Sequence, residues 1–367
     1  MKRTATNFGL LFAACILLLS NVIAFADDKT QAVKSSQVVR PDANQIKNDA
    51  KADQQLKDLV KKRRTRNGWL GDGTVADNVR VLKDLSYVDK DGSQAQKLDL
   101  YIPSVHTIAG DDTASFEKSN SNFADKRQNL SKGWPIVVWI HGGGWRSGDK
   151  KGGPFRALLD AGFAVASINY RLSPEAKWPA QLDDCRSALS FLRNHASEYD
   201  IDCKRMGLWG ASAGGHLVLM LALKPEGANK AVSQSAPETV SAVCDWFGPT
   251  DLGGFMRKGE TTNSGAEMIQ QLFGLEGDAL LAACDRASPI TYVGVGQLQQ
   301  VPPMLIMHGK SDRLVSIHQS YSLVDKMKAA GVKNVKLVEL NGGHGFPGFG
   351  PGTVLSVVNF FKDKLNK

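Results

Sequence analysis

From about Val79 onward, short apolar runs alternate with longer amphipathic ones. Val79–Val88 and Lys97–Ile102 read as strands, the second with Leu98, Leu100 and Ile102 at the period of two that turns one face to a core. Ile136–Ile140 is apolar throughout, as a strand buried on both faces would be, and Phe163–Ile168 is a second such run. In Trp178–Ala196, Leu182, Cys185, Leu189 and Leu192 recur every three or four residues, the spacing of one helix face. Met206–Trp209 then predicts a strand that enters a turn at Gly210–Gly214, with a helix over Gly215–Leu223 and a strand over Val240–Phe247. Residues 249–300 lack a sustained period apart from a helical piece near Glu267–Phe273 and read as an irregular lid. Strand Met304–His308 after Pro302-Pro303, helix Ser316–Ala330, strand Val335–Leu340 and helix Thr353–Lys364 complete the pattern. Alternating strands and helices predict an α/β domain with a mostly parallel sheet covered on both faces. Ligands of such sheets bind at the carboxyl ends of strands, so the residues just after each strand carry the functional information.

Ahead of this domain the pattern is different. Residues 1–26 have a basic start at Lys2 and Arg3, an apolar run from Phe8 to Leu19, and Ala24-Phe25-Ala26, and so read as a signal peptide cleaved after Ala26. An uncleaved anchor is disfavoured because the run falls short of the ~20 residues a span needs. Cys15 lies inside the run, which weakens a lipoprotein reading. The expectation is export, to a periplasm or the medium, without stable membrane insertion. Residues 27–75 are polar and charged and read as a flexible or helical leader, with a helix possible over Asn44–Lys62. The α/β domain is assigned to 76–367, and Ser104–Lys132 is a polar surface insertion.

The net charge of +8 does not point to nucleic acid. Residues 27–66 hold eleven Lys/Arg against six Asp/Glu, and the signal holds two more cations, so the domain itself is nearly neutral. Lys61-Lys62-Arg63-Arg64 is read as a solvated linker, with a polyanion contact as the alternative. Cleavage would leave Cys185, Cys203, Cys244 and Cys284, whose spacings match no zinc site. An exported compartment permits disulfides, and Cys244 and Cys284 flank the lid. Pairing of these two and buried free thiols are both open.

Three strand ends carry chemistry. Met206–Trp209 runs into Gly210-Ala211-Ser212-Ala213-Gly214, a G-x-S-x-G turn between a strand and a helix that lifts a serine hydroxyl above a sheet. Ile136–Ile140 runs into His141-Gly142-Gly143-Gly144-Trp145, where glycines let amides face a cavity without Cβ obstruction. Donors preorganised for a tetrahedral oxyanion are typically worth ~3–4 kcal/mol each. Gly143, Gly144 and Ala213 are the candidate donors, and His141 is read as a brace for the loop. Met304–His308 leads to Asp312, and the last strand to Asn341-Gly342-Gly343-His344-Gly345. The order Ser212, Asp312, His344 is that of α/β-hydrolases, with serine as nucleophile, histidine as base and aspartate fixing the histidine tautomer. His216 follows Ser212 too closely to be its base. His308 is expected in the core or supporting the site from behind, and His195 and His318 on exposed helices. Asp251 is the rival acid, but reads better as a turn aspartate bonding to backbone. Asp183 and Asp184 read as first-turn helix acids.

The HGGGW loop, Tyr170-Arg171-Leu172, Trp178-Pro179-Ala180-Gln181-Leu182-Asp183-Asp184 and Gly210-Ala211-Ser212-Ala213-Gly214-Gly215-His216 resemble bacterial esterases of the α/β-hydrolase superfamily. The similarity is to hormone-sensitive-lipase-like esterases, and more closely to the bifunctional feruloyl and acetyl-xylan esterase-like group, which Ser288-Pro289-Ile290-Thr291 also fits. Hormone-sensitive-lipase-like enzymes usually carry Asp before the nucleophile, where this chain has Ala211. The resemblance covers about residues 80–365. It implies an α/β-hydrolase fold with a small lid and hydrolysis of short acyl or aromatic acyl esters on small molecules or polysaccharides. No metal or organic cofactor is called for. A peptidase of the same fold and a non-catalytic binding protein on the same scaffold are the rival readings. The lid aromatics Trp246, Phe247, Phe255 and Phe273 are expected either to cover the acyl pocket or to be ordinary core.

Overall fold

The apolar runs pair into one sheet. The computed structural model describes residues 79–88, 93–103, 133–223, 240–257, 262–294, 301–345 and 348–366. All of them fall within the unit Lys51–Lys367. Among the described residues there are eight strands: β1 (Val79–Ser86), β2 (Lys97–Pro103), β3 (Trp134–Ile140), β4 (Ala164–Ile168), β5 (Ile201–Ala211), β6 (Ala242–Trp246), β7 (Met304–Gly309) and β8 (Val335–Leu340). Their order is β1-β2-β4-β3-β5-β6-β7-β8. β1 and β2 pair antiparallel, as do β2 and β4, and every other pairing is parallel. The helices are α1 (Arg156–Asp160), α2 (Ala180–Asn194), α3 (Ala213–Leu223), α4 (Leu252–Arg257), α5 (Asn263–Phe273), α6 (Gly277–Arg286), α7 (His318–Ala329) and α8 (Pro351–Leu365). This is the α/β-hydrolase architecture.

The pleat sorts each strand between two cores. Ile136, Val138 and Ile140 of β3 pack with Leu189 of α2, Leu217 of α3 and Leu323 of α7 on one face. Val137 and Trp139 pack on the other with Leu158 of α1 and Phe361 of α8. Burial on both sides is why β3 is apolar without alternation. Behind the end of β5, Trp139, Trp209 and Trp246 meet edge to face, with centroids 4.8–6.4 Å apart.

Several boundaries differ from the sequence reading. β5 begins five residues earlier than predicted, at Ile201, because a register shift after Pro135 lets the polar Cys203-Lys204-Arg205 stretch bulge out of the pairing. α3 starts at Ala213, directly after the serine. The short α1 was not predicted. Residues 249–300, read as irregular, contain α4, α5, α6 and a 3-10 turn at Pro289–Tyr292. The helical piece expected near Glu267–Phe273 is the end of α5, which starts at Asn263, whereas glycine-rich starts hid α4 and α6; all three hold through buried Leu252, Phe255, Ile269, Leu272 and Leu280 rather than through propensity. Thr262 caps α5 by accepting from the Gly265 amide, and Gly274 ends it in the left-handed region.

The pairing of Cys244 with Cys284 is overturned: Cys185, Cys203, Cys244 and Cys284 are all free thiols. Cys244 faces the α1/α8 side of the sheet and Cys284 the opposite core, so the sheet lies between them. The possible helix over Asn44–Lys62 and the insertion Ser104–Lys132 lie outside the described residues. No helix among the described residues is long and apolar enough to cross a membrane.

Candidate active site

Strand β5 delivers Ser212 with φ of +55°, a left-handed conformation that costs a non-glycine residue free energy. The turn holds it there: the Ser212 amide donates to Trp246 O at 2.8 Å, and Ser212 O accepts from the His216 amide at 2.9 Å. A side chain at Gly210 would strike the Gly214 backbone, and one at Gly214 would strike Ile140 O, so only glycine fits at either position.

His344, on the loop after β8, places Nε2 2.9 Å from Ser212 Oγ. Its Nδ1 lies 2.7 Å from Asp312 Oδ2. With Nδ1–H donating to the carboxylate, Nε2 is free to accept from the serine hydroxyl. The Asp312 carboxylate is wholly buried. Its Oδ1 accepts from the amides of Leu314 and Val315, both at 2.9 Å. Burial acts to raise its pKa, but hydrogen bonds from His308 and His344 outweigh it and hold the carboxyl well below the usual carboxylate range. Thus the structure brings Ser212, His344 and Asp312 into one hydrogen-bonded chain.

The loop after β3 forms the facing wall. Gly143 and Gly144 have φ of +111° and +60°. Gly143 O accepts from the amides of Arg146 and Ser147 at 3.2 and 3.1 Å, curling the loop into a tight turn. Neither the Gly143 nor the Gly144 amide finds an acceptor among the described residues, and the Ala213 amide opens α3 beside them. His141 braces this loop: its ring stacks on Tyr170 at 4.4 Å, and its carbonyl accepts from Tyr170 Oη at 3.0 Å. Burial lowers the His141 pKa, so it stays neutral. Further along, Trp145 O accepts from the Ser173 amide at 2.7 Å. The same 173–178 segment grips α5, through Trp178 N–H to Leu272 O at 3.0 Å and Lys177 Nζ to Gln271 O at 2.9 Å.

Between the two walls lies a cleft of about 390 Å³, with Ser212, His344 and the glycine loop on its lining. Phe247, Phe255, Met268, Ile269, Leu314 and Val315 make it predominantly apolar. Phe247, with φ of +45°, packs edge-on to the His344 ring at 4.5 Å. Two of the four candidate pocket aromatics are elsewhere: Trp246 faces the tryptophan cluster behind the sheet, and Phe273 packs on Trp178. Alternating strand geometry turns Trp246 away when Phe247 faces the cleft.

The remaining candidates sort as follows. Asp251 uses Oδ1 to accept from the Gly254 amide at 2.8 Å, a turn role, and the structure joins it to no histidine among the described residues. His216 is fully buried, with Nε2 2.7 Å from Ala287 O, and burial pushes its pKa down to about 4. His308 is buried beside the acid: Nε2 is 2.8 Å from Val315 O and 3.3 Å from Asp312 Oδ2, and Nδ1 is 2.7 Å from Ser320 Oγ. His318 is exposed and His195 half-buried. Asp184 is not a solvated first-turn acid: it is buried and takes the Arg171 guanidinium and amide together with Gln96 Nε2. Sequence reasoning missed this clamp, and it placed His308 in the core or behind the site without naming its contact with Asp312. The former was signalled only by a basic and an acidic residue thirteen apart, and the latter by histidine four residues before the acid. Among the described residues no group of three or more His, Cys, Asp or Glu could hold a metal ion.

The chain is 29% identical to the "Probable carboxylic ester hydrolase LipM" of Mycobacterium tuberculosis over 212 residues, 56% of this chain and 48% of that protein. It is 28% identical to "Esterase LipQ" of the same organism over 226 residues, 60% of this chain and 52% of that one. The chain thus spans about half the length of these curated relatives. Among solved structures, it is similar to a "Bifunctional GH43-CE" protein of Bacteroides eggerthii, with 27% identity and a TM-score of 0.63 over 80% of this chain and 36% of that one. It is also similar to a "Truncated form of carbohydrate esterase from gut microbiota", with 26% identity and a TM-score of 0.63 over 80% and 99% of the two chains. The BD-FAE family model matches residues 125–327, more than half the length, and the chain belongs to that family.

Proposed function

We propose that this protein is a serine carboxylic-ester hydrolase that acts on short acyl or aromatic acyl esters, polysaccharide esters among them, outside the cytoplasm. The observation that carries the reading is the chain Ser212 Oγ–His344 Nε2 at 2.9 Å and His344 Nδ1–Asp312 Oδ2 at 2.7 Å at the mouth of an apolar cleft. Ser212 Oγ attacks the ester carbonyl carbon while its proton passes to His344 Nε2. The carbonyl oxygen becomes an oxyanion that takes the amides of Gly143, Gly144 and Ala213. The imidazolium, stabilised by Asp312, then gives its proton to the leaving alcohol oxygen as the C–O bond breaks. Water, deprotonated by the same histidine, releases the acid and restores Ser212. The apolar cleft suits an acyl group without charge. Similarity to a probable carboxylic ester hydrolase and to a carbohydrate esterase supports the reaction class, and the basic-apolar-small pattern of residues 1–26 supports export. The test is a panel of acetylated and feruloylated oligosaccharides beside simple p-nitrophenyl esters, run on wild type and Ser212→Ala. Turnover by the wild type alone is expected, and equal turnover by both would remove Ser212 from the mechanism.

A further inference from the structure

One carboxyl beneath the site is unused by this mechanism. Asp245, near the end of β6, has no exposed surface. Its Oδ1 accepts from the Gly248 amide at 2.9 Å, and its Oδ2 has no hydrogen-bond partner among the described residues. The bond closes the turn 245–248, and both residues inside that turn touch the catalytic pair. Trp246 supplies the carbonyl that holds the strained Ser212 amide. Phe247, itself at φ of +45°, lies against the His344 ring. From the other side Asp245 Oδ1 meets Gly215, in the first turn of the helix that follows the serine. A single acceptor therefore closes the turn that carries both the carbonyl holding left-handed Ser212 and the left-handed Phe247 beside the base.

We propose that Asp245 is a positioning residue for the Ser212–His344 pair, and that it acts as an uncharged carboxylic acid. Its surroundings give an anion almost nothing. Across β5 it faces Gly210, and across β7 it faces Ile306. From α3, His216 is a neutral imidazole committed to Ala287 O, and no Lys or Arg contributes to its environment. Among the described residues, the titratable group that favours its charge is His308, two residues beyond Ile306 on β7 and on the same face. Burial accordingly pushes the Asp245 carboxyl up to about 7. Ionisation would draw His308 toward Asp245, and His308 is the ring that also holds Val315 O and Asp312. Above neutral pH both the turn and the acid's support are then disturbed.

This proposal rests on the serine-hydrolase reading, and its test separates the two. Asp245→Asn keeps a carbonyl for the Gly248 amide and cannot ionise, whereas Asp245→Leu removes the acceptor at similar volume. With p-nitrophenyl acetate, wild-type kcat should fall about fivefold or more between pH 7 and 9, with KM little changed. Asp245→Asn should have kcat lowered about two- to fivefold at pH 6 and show no such fall, and Asp245→Leu should lose about tenfold or more in kcat at pH 6. A parallel alkaline fall in Asp245→Asn, or wild-type kcat in a folded Asp245→Leu, overturns the proposal. The infrared spectrum decides the protonation state without any turnover: a carboxylic-acid C=O band at pH 6 that Asp245→Asn lacks supports it, and identical spectra overturn it. A wild type that hydrolyses no ester but shows the band would sink the esterase reading and leave the uncharged Asp245 standing.

Discussion

Asp312→Asn isolates the role of the buried acid. In the wild type, Oδ1 takes two amides, and Oδ2 faces N–H groups of His344 and His308. An asparagine keeps the two amides on its carbonyl and turns its NH2 toward the imidazoles, donor against donor. His344 can escape only by moving its proton to Nε2, where it blocks acceptance from Ser212. Two bonds to a charged group are lost, each worth about 1.5–3 kcal/mol, or roughly 3–6 kcal/mol together. At about 1.4 kcal/mol per decade, that is a fall in kcat of roughly 10²–10⁴. Because neither group is expected to bind substrate in its ground state, KM should stay within about threefold. The assay is p-nitrophenyl acetate hydrolysis, with Asp251→Asn alongside. That second change keeps the carbonyl acceptor for the Gly254 amide and should leave kcat unaltered. A loss of less than tenfold in Asp312→Asn, or an equal loss in Asp251→Asn, would refute the assignment of the acid. Stability follows the same carboxyl. Its folded pKa is depressed, so its contribution is present above the unfolded value near 4 and lost as pH falls toward the folded one. The stability gap between wild type and Asp312→Asn should therefore narrow below about pH 4.

Three other changes probe the frame. Gly144→Ala places a Cβ at φ of +60° and against the Met268 thioether, so it should displace the loop amides and cut kcat by about 10²-fold in the same assay. Tyr170→Phe leaves the His141 carbonyl without its buried donor and should cost about 1–2 kcal/mol in denaturant unfolding, with kcat falling more than KM rises. With all four cysteines of the domain unpaired, and the Cys185 and Cys244 thiols pushed up by burial, a reductant should leave Tm unchanged. A drop in Tm on reduction would restore a disulfide.

What the sequence disclosed was local. The three strand-end motifs were legible because each needs small residues at fixed offsets: glycine about Ser212, glycine after His141, glycine about His344. The parallel core was legible from its unbroken apolar runs. The lid was legible only at its helical piece near Glu267–Phe273, because α4 and α6 owe their existence to surfaces contributed by distant segments, and glycines at their starts mimic loop. Nor was the fate of Cys244 and Cys284, since flanking the same segment says nothing about which side of a sheet each thiol faces. Asp184 looked like a helix-start acid until folding supplied Arg171 and Gln96. Asp245 was hidden for a related reason: a polar residue in a strand reveals its role only through neighbouring strands.

The grip of residues 173–178 on both the oxyanion loop and α5 has a mechanical consequence. In the proposed mechanism, this six-residue strut joins the helix over the acyl group to the amides that meet its carbonyl. A substrate that lifts the roof must therefore tug on the electrophilic contacts, so poor fit at the far end of an acyl chain is felt as a slower bond-making step and not only as weaker binding. Grafting a relative's roof onto this scaffold would need the strut carried with it.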